Sequence, residues 1–291
     1  MQVTPLGHDF VAEVTGIDLR HPLSPAEAAA VEAAADRYAV LVFPGQDIDD
    51  AQQVAFAENF GVVEPDHAVV DADKRRIDHT KVNDISNLDE GGKLFTGDDR
   101  RRLFSLGNRL WHSDSSFKRV PSKYSMLHSR SIPPTGGTTE FADMRAAWDA
   151  LPEEEKAVLL SLVAEHSLIF SRDLLGFDNY TPEERAKWAP VPQRLVRRHA
   201  GSGRLSLFLS AHIGRIQGMP VPEARALLRE LTEHATQRDF VHAHRWRLHD
   251  LVLWDNRCSM HRARPFDDQR YPRDMRRVTL MDSGPTLEQR I

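Results

Sequence analysis

Hydrophobic and polar residues follow one another along this chain in patterns that predict both helices and strands. Residues 25–38 form an alanine-rich run that Ser24 can cap and that Glu27 can close as a capping box, so they predict a helix. The apolar run 39–43 ends at a Pro-Gly pair and predicts a buried strand. Residues 49–60 predict a second helix, which a glycine terminates. The N-terminal part therefore has the order helix, strand, helix.

The second half of the chain mixes the two periodicities. A Gly-Ser-Gly turn between two runs predicts a hairpin over 194–210, and apolar residues at helical spacing predict a helix over 222–237. Shorter helices are predicted over 144–151 and 152–165, and strands over 123–131, 138–142, 240–246, 250–254 and 276–281. Several separated strands with helices between them predict a mainly β fold with flanking helices, either a sandwich or a barrel.

No hydrophobic period is visible between residues 63 and 106, where the chain is polar, charged and interrupted by glycines. A loop of this length inside a compact domain is commonly functional, and active-site lids are one such case. No internal repeat or low-complexity linker divides the sequence. We therefore expect a single domain over 1–291 with an active-site lid or insertion at about 63–106.

Composition narrows the class of protein. Of the 291 residues, 41% are hydrophobic and 28% are charged, which is ordinary for a globular enzyme. A net charge of −5 gives no general attraction to nucleic acid or anionic membranes, and no apolar stretch approaches the roughly 18 residues of a membrane span. Because Cys258 is the one cysteine and the N-terminus lacks a signal-peptide pattern, a cytoplasmic location is expected.

The candidate chemistry centres on His112 and Asp114. On a strand, residues two apart share a face, so this pair can offer a nitrogen and an oxygen to one point. His261 is the candidate for a third ligand. Two histidines and a carboxylate on one face of an iron ion leave three positions open, which suit a chelating 2-oxo acid and dioxygen. The same ligands also suit a zinc hydrolase.

Chance alone provides an alternative explanation for this pair. The chain contains 14 histidines, and most polar pairs on strands simply face water. His242 and His244 have a similar spacing and compete with His112 and Asp114 as metal ligands. They rank lower because no carboxylate joins them.

Four motifs that occur in order along the chain favour a metal site formed by His112, Asp114 and His261. Together they resemble the TauD/TfdA family of 2-oxoglutarate-dependent dioxygenases, and the likeness extends from residues 16–19 to Met281. The motifs lie at 108–117, 134–141, 254–262 and 273–277. Two longer stretches, 141–147 and 233–238, resemble the 2,4-dichlorophenoxyacetate dioxygenases within that family.

The resemblance implies a double-stranded β-helix, or jelly roll, and a division of roles among named residues. Fe(II) would be bound by the catalytic residues His112, Asp114 and His261. The co-substrate 2-oxoglutarate would contact Thr139, Arg273 and Asn108. Arginine suits such a role because its guanidinium grips a carboxylate with two parallel hydrogen bonds. Since one residue more than expected separates His261 from Arg273, Arg270 is the fallback for the arginine.

The resemblance also provides candidates for contacts with the primary substrate. Arg277 lies four residues after Arg273, on the same face of a strand, where it can meet an acidic group. A structural salt bridge is its alternative role. The full set of candidates is Arg277, Ser116, Lys81, Lys93, His212 and Arg215.

The implied reaction is hydroxylation of a small anionic aromatic substrate, with dioxygen as second co-substrate. An aryloxyacetate such as 2,4-dichlorophenoxyacetate would yield a phenol and glyoxylate, together with succinate and CO2, as in the degradation of aromatic herbicides. The same chemistry on a sulfonate such as taurine, an alkyl sulfate, indole-3-acetate or a cinnamate-like acid is the alternative. A jelly-roll binding protein without turnover is a more distant one. Members of the family are commonly homo-oligomers, which is the expectation for this chain.

Overall fold

The structure is a computed structural model that describes residues 1–7, 9–65 and 74–291. Its strands are β1 (Gln2–Pro5), β2 (Val11–Thr15), β3 (Val40–Phe43), β4 (Asn83–Ser86), β5 (Ser122–Ser131), β6 (Thr139–Asp143), β7 (Val163–His166), β8 (Val191–Arg194), β9 (Val196–Arg198), β10 (Leu205–Leu207), β11 (Ile213–Ile216), β12 (Val241–His244), β13 (Leu251–Asp255), β14 (Ser259–Ala263) and β15 (Asp274–Met281). Its helices are α1 (Pro25–Tyr38), α2 (Asp50–Glu58), α3 (Arg100–Ser105), α4 (Met144–Asp149), α5 (Glu153–Leu159), α6 (Leu168–Asp173), α7 (Pro182–Lys187) and α8 (Val221–Ala235). No helix within the described ranges has the length and apolar character needed to cross a membrane.

Two packed sheets organise these elements. Over the described residues, the large sheet has the order β1-β2-β3-β13-β5-β15-β4, and a second sheet has the order β12-β6-β14. Two small sheets, β11-β7-β8 and β10-β9, complete the fold. The structure thus confirms the predicted mainly β fold with flanking helices.

Strand β13 shows how the core is divided. Its alternate residues Leu251 and Leu253 belong to the apolar cluster under α1 and α2, on the outer face of the large sheet. Val252 and Trp254 belong to the cluster that also contains Phe141 of β6, between the two sheets. Successive side chains of a strand point to opposite faces, so all five residues of β13 are buried, with a helix layer on one side and a sheet on the other.

Local signals predicted several elements correctly. Ser24 caps α1, because its hydroxyl accepts a hydrogen bond from the Glu27 amide at 3.2 Å while the Glu27 carboxylate accepts one from the Ser24 amide at 2.8 Å. The predicted hairpin over 194–210 is present as β9 and β10. The helix predicted over 152–165 is shorter than expected. It ends at Leu159, and Val163–His166 instead forms β7, because pairing with β8 and β11 outweighs local helical spacing.

The described part of the segment 63–106 contains more regular structure than its composition predicts. It contributes β4, which pairs with β15 at the edge of the large sheet, and the short helix α3. Arg76 bridges the two strands through ion pairs of 2.8 Å with both Asp84 and Asp274. Residues 66–73 of the predicted lid lie outside the described residues, and the lid therefore stays a prediction.

Gly136, between β5 and β6, offers a test of how closely the loop before β6 must approach the chain after β14. A Cβ atom at this position would lie 2.7 Å from the Pro265 carbonyl oxygen, and its φ is +75°. Gly203 is a matched control, because its φ is +71° but nothing lies within 4 Å of such a Cβ atom. We expect Gly203→Ala to lower the free energy of unfolding by about 1–2 kcal/mol through backbone conformation alone. Gly136→Ala should cost about 1–3 kcal/mol more through the added clash.

Denaturant titration of the two variants measures this difference. Equal losses of stability would contradict a close approach at Gly136.

Candidate metal centre and adjoining cavities

His112, Asp114 and His261 converge in the interior of the protein. Their ligand atoms all lie within 4.8 Å of one another, and all three side chains are buried. Nε2 of His112 lies 3.9 Å from one oxygen of Asp114, and Nε2 of His261 lies 3.8 Å from the other. The structure therefore brings the predicted ligand set together.

The backbone that positions this triad differs from the expected strand. His112 forms an isolated antiparallel bridge with His261 of β14, in which each amide donates to the other residue's carbonyl at 3.0 and 2.9 Å. The chain then turns at once, and Ser115 adopts a positive φ of 51°. Asp114 begins this turn, and its amide donates to the Asn256 side chain at 3.1 Å. The expectation of an alternating strand over this pair was thus wrong.

The protonation states of the triad suit a divalent cation. The Nδ1 hydrogen of His112 donates to the Leu110 carbonyl at 2.8 Å, which leaves the lone pair of that ring on Nε2, toward Asp114. Burial lowers the pKa of His112 and lowers that of His261 to about 3. Burial acts to raise the pKa of Asp114, but nearby positive charge, that of the Arg277 guanidinium foremost, outweighs it and holds that pKa below its usual range. Two neutral imidazoles therefore face an ionised carboxylate.

Two cavities meet at the triad. The smaller cavity, of about 150 Å³, is lined by Thr139, His261, Arg273 and neighbouring residues. The larger cavity, of about 250 Å³, is lined by Asp114, His212 and a mixture of apolar and charged side chains. His112, Asn108 and Arg277 line both. The triad thus lies where two separate small molecules could each reach it.

The smaller cavity contains a buried positive charge. Burial lowers the pKa of Arg273 to about 10, and no carboxylate in the described part of the chain forms an ion pair with its guanidinium. The fallback residue, Arg270, is instead exposed and lies over the Tyr271 ring. Thr139 is buried at the start of β6, and its hydroxyl accepts a hydrogen bond from Trp246 at 3.0 Å. This cavity is suited to an anion.

Arg277 occupies the boundary between the cavities. Its guanidinium donates to an Asp114 oxygen at 2.8 Å, while Ser125 donates to the other oxygen of the same carboxylate at 2.8 Å. His212 is buried against the larger cavity, where its ring meets the His112 ring edge to face at 5.7 Å. Of the predicted substrate contacts, Arg277 and His212 are the two that line these cavities.

The remaining predicted substrate contacts line neither cavity, and a substrate role for them stays a prediction. Lys81 is half exposed and pairs with Glu58 of α2 at 2.6 Å, and Lys93 is exposed. Arg215 points to solvent from β11. Ser116 is fully buried behind the turn. The three long cationic side chains remain hydrated at the surface, which is the ordinary state of such groups.

His242 and His244, the other candidate metal ligands, do not belong to a cluster of potential metal ligands among the described residues. His244 of β12 is buried 3.2 Å from Asp250, and its pair His242 is partly exposed.

A second cluster of potential metal ligands is formed by His199, Asp255 and Cys258. It reads as structural, because Arg257 neutralises Asp255 at 2.6 Å and burial raises the pKa of the Cys258 thiol.

Comparison with known proteins now identifies the family. The family described as "Taurine catabolism dioxygenase TauD, TfdA family" matches residues 2–279. The chain belongs to the TauD/TfdA family of dioxygenases. The predicted enzyme class is thereby confirmed.

Several members of the TauD/TfdA family are similar to this chain over nearly its whole length. The alpha-ketoglutarate-dependent 2,4-dichlorophenoxyacetate dioxygenase of Cupriavidus pinatubonensis is 47% identical over 280 residues, which cover 96% of this chain and 97% of that protein. The (S)-phenoxypropionate/alpha-ketoglutarate-dioxygenase of Delftia acidovorans is 36% identical and covers 92% of this chain and 90% of its own length. Among solved structures, AAD-2 in complex with Mn(II) and N-oxalylglycine superposes with a TM-score of 0.93 at 54% identity, covering 99% of this chain and all of that one. The predicted jelly-roll fold is confirmed by this superposition.

The convergence of the triad predicts the effect of removing each histidine. We expect His112→Ala and His261→Ala each to weaken Mn(II) binding by at least about 100-fold, because losing even an outer partner of a ligand costs about 10- to 100-fold. Titration of the purified protein with Mn(II) measures this affinity, and circular dichroism checks that the fold is retained. His242→Ala is the matched control and should bind as the parent does. Near-parental affinity in either ligand variant would refute the ligand assignment.

Proposed function

We propose that this protein is an Fe(II)- and 2-oxoglutarate-dependent dioxygenase that hydroxylates an aryloxyacetate. One observation carries the proposal. Two cavities, of about 150 and 250 Å³, open onto one buried His-Asp-His triad, and an arginine without a carboxylate partner among the described residues lies in the smaller one. This arrangement suits a reaction between two small anions at one metal.

The donor set fits iron. Two neutral imidazole nitrogens and one carboxylate, from His112, His261 and Asp114, form the ligand set typical of non-haem Fe(II) oxygenases, which leaves positions open for reactants. When bound, the iron supplies the redox chemistry that couples decarboxylation of 2-oxoglutarate by dioxygen to hydroxylation of a carbon. The protein's own contribution is to hold the three ligands, orient both organic molecules and exclude water.

In the smaller cavity, Arg273 is proposed to grip the distal carboxylate of 2-oxoglutarate. A bidentate guanidinium–carboxylate pair would compensate a charge that burial otherwise destabilises. Thr139 and Asn108, which line the same cavity, are proposed as further contacts with this co-substrate. A zinc hydrolase would have no evident use for a buried arginine placed in this way.

In the larger cavity, the aromatic ring of the substrate is proposed to pack on apolar side chains. Phe104, Phe117 and Leu168 line this cavity near His212. Arg277, at the boundary, is proposed to pair with the substrate carboxylate beside the triad. This orientation would place the methylene carbon between the ether oxygen and the carboxylate nearest to the reacting centre.

The overall reaction balances as follows. One oxygen atom of O2 enters succinate as 2-oxoglutarate loses CO2, and the other enters the methylene carbon as a hydroxyl group. The resulting hemiacetal breaks its bond to the aryl ether oxygen, and the hydroxyl proton passes to that oxygen. The products are a phenol and glyoxylate.

A substrate panel tests the proposed function directly. We expect oxygen consumption and succinate formation with aryloxyacetates, and phenol release in equal amount, provided that Fe(II) and 2-oxoglutarate are both present. Omission of either component is the control. The enzyme could instead oxidise taurine, an alkyl sulfate, indole-3-acetate or a cinnamate-like acid and no aryloxyacetate. In that case the same reaction would be assigned to that other substrate. Product formation with zinc in place of iron would contradict the reaction class.

The role of Arg273 can be tested apart from turnover. We expect Arg273→Gln to weaken N-oxalylglycine binding to the Mn(II) form by about 10- to 100-fold, because it removes hydrogen bonds between charged groups. Isothermal titration calorimetry measures this change. Arg270→Gln is the matched control, since that arginine is exposed a short distance along the same chain, and it should change the affinity less than about twofold. Similar losses in the two variants would argue against the assignment.

A further inference from the structure

Arg172 of α6 is a second buried arginine at the candidate site, and no sequence motif marked it. Its side chain is 5% exposed and lines the larger cavity beside His212, Phe104 and Asn108. Burial lowers its pKa to about 10, which still leaves the guanidinium positively charged at neutral pH. A charge therefore lines this cavity next to the apolar ring of Phe104.

The charge of Arg172 is not compensated by the described part of the protein. Its guanidinium donates to the Ser171 hydroxyl at 2.9 Å and, at 3.5 Å, to the Asn108 side-chain oxygen, and both acceptors are neutral. Its Nε atom has no hydrogen-bond partner among the described residues. By contrast, the buried Arg257 and Arg197 each pair with an aspartate. A buried charge without a partner is costly, so a charge left in this state points to a ligand.

Arg172 is also held firmly in place. A Cβ atom at Gly107 would lie 2.3 Å from the central carbon of the guanidinium, and on another side the guanidinium lies over the Phe104 ring, 4.5 Å from its centre. Gly107 does not have a left-handed φ, so its lack of a side chain provides space for Arg172 and is not required by the backbone. A group fixed in this way loses little entropy when it binds an anion.

The two cavities have a parallel arrangement of charge. Arg273 is the buried, uncompensated cation of the smaller cavity, as Arg172 is of the larger one. Arg277 lies between them and already donates to Asp114 at 2.8 Å. Arg172 and Arg277 repel each other electrostatically, and an anion between them would turn this repulsion into attraction.

We infer that Arg172 is a second binding group for the carboxylate of the primary substrate, which it holds together with Arg277. This inference rests on the proposed function for the class of substrate and adds the residue that recognises its charge. Two guanidinium groups would satisfy more of the carboxylate lone pairs than Arg277 can while it is engaged with Asp114. Neutral molecules of the same shape would form no ion pair with Arg172 and would gain much less from it.

Binding of phenoxyacetate and of neutral phenoxyacetamide to the Mn(II) form with N-oxalylglycine separates charge recognition from structural support. We expect Arg172→Gln to weaken phenoxyacetate binding about 10- to 100-fold, while phenoxyacetamide and N-oxalylglycine change less than about threefold. Arg172→Lys should recover part of the loss. Gly107→Ala should resemble Arg172→Gln although the arginine remains, because the added methyl group displaces the guanidinium.

The controls distinguish the two proposals. Thermal unfolding of each variant shows whether it folds, and Arg172→Lys tests the inference should Arg172→Gln be unstable. Equal losses for the acid and the amide, or no loss for the acid, would overturn the role of Arg172. If the parent oxidises a different acid from the panel, the proposed substrate fails, and the same variants compared on that acid and its amide decide the role of Arg172. A parent that binds no acid of the panel would overturn both.

Discussion

The paired backbone hydrogen bonds between His112 and His261 are the constraint on which the candidate site depends. They join a segment that is otherwise irregular to β14, which is itself paired with β6. Both imidazoles are thereby fixed on a rigid sheet, with ring centres 4.2 Å apart. The Asp114 carboxylate lies close to both imidazoles, with its two oxygens 3.9 and 3.8 Å from their Nε2 atoms. A site held in this way keeps its ligand geometry whether or not the surrounding loops are well ordered.

Charge compensation explains the distribution of arginines around this point. Asp114 is buried, and Arg277 neutralises it together with the hydrogen bond from Ser125. Arg273 and Arg172 have no such carboxylate among the described residues. Burying these two cations costs the protein free energy. The negative charges that compensate them must come from ligands. This is the physical basis on which one cavity is assigned to 2-oxoglutarate and the other to an anionic substrate.

Local sequence patterns correctly predicted the elements that depend on interactions between neighbouring residues. The capping box of α1, the apolar strand β3 and the hairpin of β9 and β10 each depend on neighbouring residues, and all are present. The strands β4, β7 and β14 were not predicted, because each is short and is stabilised by partners distant in sequence. The convergence of His112, Asp114 and His261 was predicted from residue type and family resemblance. The expected strand over His112 and Asp114 was wrong, because His112 forms an isolated bridge and a turn begins at Asp114.

Whether a cation binds a substrate depends on its surroundings, which residue type does not reveal. Lys81 and Arg215 have the right charge, yet one pairs with Glu58 and the other faces solvent, so neither contributes an unsatisfied charge to a cavity. Arg172 differs from them in its burial and in the space that Gly107 leaves for it. The one trace of this in the sequence is an arginine within the largely apolar run 168–175. Such a residue must either find a carboxylate within the fold or bind one that arrives with a ligand, and tertiary structure alone distinguishes these outcomes.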